Sequence, residues 1–310
     1  MKTTFIIAYA SLVGAAFASF LPQARDSSNS SSYNDTQILN LALTLAQLES
    51  AFYSGALSSY NATDFTNAGL PAWARGRFEE IASHKQAHVK TLTTSLGNNA
   101  VKACNYSFPY TDPASFAALA QVLSDVGVSA YTGAAPLITN RDYLATAASI
   151  LATEARHAAW IAGPVNKGNA WSGAYDTPLT LGSAYSLGAQ FITSCPSSNP
   201  SLGVKAFPSL TITNATLGQA SAVTAGNNVS VEGQYVAFFS GLTTTFVKVS
   251  NGQVVVPNND MGTSYAVLTN ANGTATDSTI IAGVAVIQFP YGSEGSLETN
   301  GRMEMAKEMM

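Results

Sequence analysis

Glu154 and His157 stand three residues apart in a stretch whose apolar residues recur at helical steps. Both side chains therefore fall on one helix face, one turn apart. A carboxylate oxygen and an imidazole nitrogen at that spacing can chelate one metal ion. Glu49 follows Leu45 by four and precedes Phe52 by three, and His88 follows Ile81 by seven and precedes Leu92 by four. Each thus belongs to the apolar side of its own helical segment. Ionisable groups on such faces are costly unless they pair or bind metal.

A di-metal site in a helix bundle needs two Glu-x-x-His helices and one Glu from each of two others. Here one segment offers Glu49 and another offers Glu154 with His157. The segment carrying His88 has Lys85 three residues earlier, and an ammonium donates hydrogen bonds and cannot ligate while protonated. The remaining segment offers Ser124, too short and too neutral to bridge metals, with Asp125 beside it as a compensating ligand. Lys85 sits between Ile81 and Leu92 at steps that place it inside. Its ammonium is therefore expected where a metal would sit, neutralising Glu49 and Glu154, which holds helices in register without demanding net stability. His84 lies one turn before His88 and could share a zinc with it. With no third ligand on that segment, His84 reads as solvated.

Four long helical segments must position these groups. The first covers about residues 35–58, capped by Asp35 or Thr36, with Ile38, Leu41, Leu45, Leu48 and Phe52 at steps of three and four. The second covers about 73–96. The third covers about 113–135 and has a small-residue face of Ala117, Ala120, Ser124 and Gly127. The fourth covers about 140–163, and a short last helix is expected near 182–192. After Cys195-Pro196 the pattern changes. Pro196, Pro200 and Pro208 mark a linker, and short β-rich runs follow near 210–212, 229–231, 235–239, 244–249, 253–256, 264–268 and 279–289. The expected class is α+β with two domains: a four-helix bundle at 35–195, a linker at 196–208 and a small β-sandwich at 209–290.

The 310 residues suffice for two domains and 46% are apolar, enough for a sizeable core. Only 10% are charged and the formal net charge is -4, which offers no basic stripe for nucleic acid. Lys2, the apolar run 5–17 and Ala16-Phe17-Ala18 before Ser19 read as a signal peptide over 1–18. Residues 19–34 read as a disordered lead-in and 291–310 as a flexible tail. No stretch reads as a transmembrane segment. Export gives meaning to the acceptor pattern Asn-x-Ser/Thr at Asn29, Asn34, Asn61, Asn105, Asn214, Asn228 and Asn272. It also makes one disulfide the expected state of Cys104 and Cys195, closing about 90 residues for about 4 kcal/mol in the chain-entropy model.

The runs Leu48-Glu49-Ser50-Ala51-Phe52-Tyr53, Phe78-Glu79-Glu80-Ile81-Ala82 with His88-Val89, Val126-Gly127-Val128-Ser129-Ala130-Tyr131 and Glu154-Ala155-Arg156-His157 resemble secreted fungal ferritin-like stress-response proteins, relatives of plant desiccation-associated proteins. The resemblance extends to Asp176-Thr177-Pro178-Leu179, Tyr185-Ser186-Leu187 and Cys195-Pro196, and covers about residues 35–208. It implies a ferritin-like bundle and carries over Glu49, His88, Glu154 and His157 as ligands of iron or manganese. It also implies that Lys85 and Ser124 stand where carboxylates belong.

Three functions compete at this stage. The incomplete carboxylate set favours a secreted stress-response or cell-surface protein without catalysis. A residual Glu/His site performing metal-dependent oxidase or peroxide chemistry is the second. The third is docking on cell-wall polysaccharide through Tyr235, Phe238, Phe239 and Tyr265 of the β half. No Gly-x-Ser-x-Gly elbow, Gly-rich phosphate loop or Cys-x-x-Cys motif is present.

Overall fold

A computed structural model describes residues 33–258 and 260–290. The signal peptide, the lead-in up to residue 32, the tail 291–310 and the sequon at Asn29 lie outside the described residues.

The class is α+β, with helices first and antiparallel sheets after them. Helix α1 spans Asp35–Ser59. Its cap is Asn34, one residue before the expected one, in a reciprocal capping box with Gln37. Asp35 instead accepts from the Thr139 and Asn140 backbone and the Thr139 hydroxyl, tying the start of α1 to the turn before α5. A short helix α2, Ala62–Asn67, was not expected; Asn61 caps it and Phe65 is its one buried anchor. Helix α3 is Ala74–Leu96 and α4 is Pro113–Ala134, the latter with Asp112 as cap and proline in its first turn. Helix α5, Arg141–Trp160, is capped by Asn140 and runs on into a wider π-type turn at Ile161–Val165. Helix α6 is Leu181–Ala189, shorter than expected because the chain then turns into a strand.

The helical core joins Leu48, Phe52 and Tyr53 of α1 to Phe78 and Ile81 of α3 and to Phe116, Ala117 and Ala120 of α4. The small residues expected to face inward on α4 do so: Ala117, Ala120 and Ser124 are fully buried. Strands β1 (Asn105–Tyr106) and β2 (Ile192–Ser194) pair beside the Cys104–Cys195 disulfide, which has formed as expected.

The remaining strands make two antiparallel sheets. One has the order β3-β4-β7, built from Leu210–Thr213, Ala220–Ala225 and Gln253–Val255. The other has the order β6-β5-β8-β9, built from Thr243–Lys248, Tyr235–Ser240, Gly262–Thr269 and Ile280–Phe289. Gly241 takes a φ of 56° at the first position of the two-residue β5–β6 turn, where a side chain would strain the backbone. Val223 and Val254 of the first sheet share a core with Val236, Phe238 and Leu268 of the second. The expected run 229–231 is not a strand, and β4 was missed because its small residues carry little hydrophobic signal. Val126, Leu179 and Leu187 of the helical part pack on Tyr265 and Val286 of the sheets.

Candidate functional site

Four helices bring the expected residues to one point. Lys85 on α3 is completely buried. Its Nζ donates to Glu49 Oε1 of α1 at 2.7 Å and to Glu154 Oε2 of α5. Glu154 is 1% exposed and Glu49 8%. His88 Nδ1 reaches the other oxygen of Glu154 at 3.1 Å, and His157 Nδ1 stands 3.5 Å from Oε2, outside hydrogen-bond geometry. Helix α4 contributes Ser124, fully buried, and Gly127 one turn later. A side-chain carbon at Gly127 would stand 3.5 Å from Glu49 Oε1 and 3.7 Å from Glu154 Oε2, in ordinary contact, so α4 borders both carboxylates at this position.

The electrostatics follow from burial and from one positive charge facing two negative ones. Burial pushes the Glu49 carboxyl up to about 7, although Lys85 pulls the other way. Burial acts on Glu154 in the same sense, but Lys85, His157 and His88 outweigh it and hold Glu154 well below the usual carboxylate range. Burial opposes the Lys85 charge, yet Glu154 and Glu49 raise its pKa above the ordinary lysine value. Near neutral pH the centre thus holds an ammonium, one firm carboxylate and a second carboxyl that titrates.

A di-metal centre does not fit this donor set. The ammonium bonds to Glu49 and Glu154, the two carboxylates that would have to serve as ligands, and it cannot ligate while protonated. The Ser124 hydroxyl is buried without a hydrogen-bond partner. Among the described residues, no three His, Cys, Asp or Glu side chains gather so as to hold a metal ion. Glu49, His88, Glu154 and His157 are brought together, but around an ammonium.

Asp125 is not brought to them. One step along α4 from Ser124, it turns about 100° away around the helix. Its Oδ2 accepts from the Thr263 hydroxyl of β8 at 2.7 Å. Burial pushes it up to about 7, with Asp176 adding repulsion. Its geometry is that of a tie between helix and sheet, so it cannot compensate for Ser124.

His84 is exposed, as expected, but it has a partner. Its Nδ1 lies 3.0 Å from His157 Nε2. The ring planes are within 10° and the centroids 5.2 Å apart, too far for face-to-face contact, so the rings meet edge to edge at their nitrogens. The carboxylate near His157 Nδ1 favours the tautomer with the proton there, leaving Nε2 to accept from His84. All three histidines of the chain therefore gather on Glu154, two directly and one through another.

Tyr53 and Tyr131 also border this centre, and reasoning from ligand types alone missed them. Burial raises the pKa of both phenols; Lys85 acts on Tyr53, and Glu154 and Glu49 act on Tyr131. Tyr53 follows Glu49 by four, so the helical repeat carried a signal for it. Of the aromatics proposed for sugar stacking, Phe238 and Tyr265 are core residues, and the Tyr265 hydroxyl accepts from Ser129. Asn34, Asn61, Asn105, Asn214, Asn228 and Asn272 are all exposed.

Residues 34–167 match the family model described as a ferritin-like domain. Protein rds1 of Schizosaccharomyces pombe is 30% identical over 183 residues, 57% of this chain and 44% of that protein. The chain thus spans less than half the length of this curated relative. The helices that build the Lys85 centre all lie within the residues matched by that family model.

Proposed function

We propose that this chain is a secreted ferritin-like stress-response or cell-surface protein without catalysis, whose bundle is closed by a lysine where relatives of intact sequence would hold metal. The observation that carries the reading is the Lys85 ammonium between Glu49 and Glu154, buried and bonded to both. One fixed positive charge there does part of the electrostatic work of a metal and leaves no open coordination position for a substrate.

In this reading α1, α3, α4 and α5 form a four-helix bundle over 35–195, and after a linker at 196–208 the two sheets form a β-sandwich over 209–290. Export rests on the apolar N-terminal run and on exposed sequons, with the Cys104–Cys195 disulfide suited to an oxidising compartment. Among the described residues no helix is long and apolar enough to cross a membrane. The stress role rests on the resemblance to secreted fungal stress-response proteins.

Elemental analysis of protein secreted from a fungal host and purified without chelators tests this function. Iron and manganese well below one per chain are expected. Stoichiometric metal that disappears in Glu154→Ala would instead favour the oxidase or peroxide reading.

A further inference from the structure

The corner between α1 and α2 holds one of the sequons, Asn61-Ala62-Thr63. Tyr60 closes α1 and Asn61 opens α2. Asn61 Oδ1 accepts from Thr63 N at 2.8 Å and from Asp64 N at 3.1 Å, and Asn61 N donates to Asp64 Oδ2 at 2.7 Å. This reciprocal cap fixes the side chain by its oxygen. Its amide nitrogen, the atom that would bear a sugar, makes no hydrogen bond among the described residues. Asn105 differs, because its amide nitrogen already donates to Ser194 Oγ at 2.9 Å.

Beside this corner runs an open groove of about 520 Å³. Tyr60, Asp64 and Asn67 line it from the α1–α2 corner, and Asp112 and Pro113 from the start of α4. Ligand pockets typically have volumes of about 300–1,000 Å³. Tyr60 is held in place before anything enters. Its carbonyl accepts from Arg75 Nε at 2.9 Å, the Leu57 carbonyl accepts from Arg75 Nη2 at 2.9 Å, and its ring meets Tyr110 edge-on with centroids 6.2 Å apart. A fixed ring lowers the ordering cost of binding.

We propose that Asn61 carries an N-linked glycan whose first sugars lie in this groove, with Tyr60 as their stacking face. This rests on the export reading, because N-glycosylation occurs on exported chains. A sugar ring presents C–H bonds on its faces and hydroxyls at its rim, so it suits an aromatic face bordered by acceptors. Asp64 and Asp112 accept the backbone N–H groups of Asn61 and Ser115, and each carboxylate has further acceptor capacity for sugar hydroxyls. The tether favours this occupant over a free cation drawn by the two carboxylates. Tyr60 and Asn61 are adjacent, so the sugar is held at the groove at about millimolar effective concentration and needs little affinity of its own.

Protein secreted from a fungal host tests this. Glycopeptide mapping should find Asn61 occupied. Peptide N-glycanase acting on the native protein should release that glycan more slowly than glycans on other occupied sequons, such as Asn272, whose neighbour Gly273 has open space where a Cβ would stand. Tyr60→Ala should speed the release about fivefold, the effect of losing one aromatic contact, and Tyr60→Phe should leave it unchanged. The wild type gives a second reading that does not depend on any variant folding: a nuclear Overhauser contact between the Tyr60 ring and the N-acetyl methyl of the first sugar. Asn61 bare in the secreted protein overturns the proposal and leaves export standing. A chain retained in the cells without any glycan overturns the export reading itself. Absence of the contact to Tyr60, or release from Asn61 as fast as elsewhere, overturns the groove as the place where the glycan lies.

Discussion

Lys85 Nζ donates to Glu49 Oε1 at 2.7 Å, from α3 to α1, with the lysine wholly out of solvent. The same ammonium bonds to Glu154 on α5. Three helices are therefore held by one charge that could not stay buried without both partners.

Removing that charge should be expensive. Lys85→Met leaves two buried carboxyls facing each other and should cost about 3–5 kcal/mol, the range for breaking a buried pair. The loss should be larger at pH 8 than at pH 5, where protonation relieves the repulsion. Adding Glu49→Gln and Glu154→Gln to Lys85→Met should recover at least half of it. Urea unfolding at the two pH values measures all of these.

Glu49 makes wild-type stability depend on pH. Its folded pKa is about 7 against an ordinary 4.5, so the native state binds the proton more tightly than the unfolded chain. That contribution is fully present below about pH 4.5 and is lost as pH rises through about 7, to a maximum of about 3 kcal/mol. Glu154 has the opposite sign: its depressed pKa adds stability above the ordinary carboxylate value, lost only as the solution is acidified. Glu49→Gln should flatten the decline between pH 5 and 8 while sparing the acid limb. An unchanged decline in that variant would place the titrating group elsewhere.

Asp125 supplies a second decline in the same window. Its pKa of about 7, raised from 3.8 mainly by burial, again means stability lost as pH rises. Asp125→Asn keeps an acceptor for the Thr263 hydroxyl and removes the charge. It should be nearly neutral at pH 5 and stabilising at pH 8. Its effect should add to that of Glu49→Gln, because the two carboxyls occupy different faces of α4's surroundings and share no partner.

The helices were legible because their apolar residues repeat at three and four, and that same repeat put Lys85 inside. Asp125 was misplaced because residue type suggested a ligand, while a single step around α4 aims it at β8. His84 could not be read from its own helix, since its partner His157 comes from α5. Strand β4, Ala-Ser-Ala-Val-Thr-Ala, buries Ser221 and Val223 on one face, but one valine among small residues gives no clear alternation. Phe238 and Tyr265 were candidates for sugar stacking, but aromatics that alternate along strands more often belong to the core, and both are buried there.

The disulfide should matter to the whole chain. Cys104 and Cys195 are 91 residues apart, and opening that loop should cost about 4 kcal/mol in the chain-entropy model. Cys104→Ser/Cys195→Ser compared with wild type in urea, without reductant, measures this. A loss below 1 kcal/mol would mean that the β1–β2 pairing holds the ends together unaided.

The occupant of the bundle centre can be observed directly in a nitrogen-15 spectrum of the lysine ammonium groups. A buried, doubly bonded ammonium exchanges its protons slowly and should give one cross-peak that exposed lysines do not. That peak should vanish in Lys85→Met and should persist in wild type with one equivalent of manganese(II) or zinc(II) added. Absence of any protected ammonium signal, or its loss on adding one equivalent of manganese(II), would contradict a lysine seated in place of the metal.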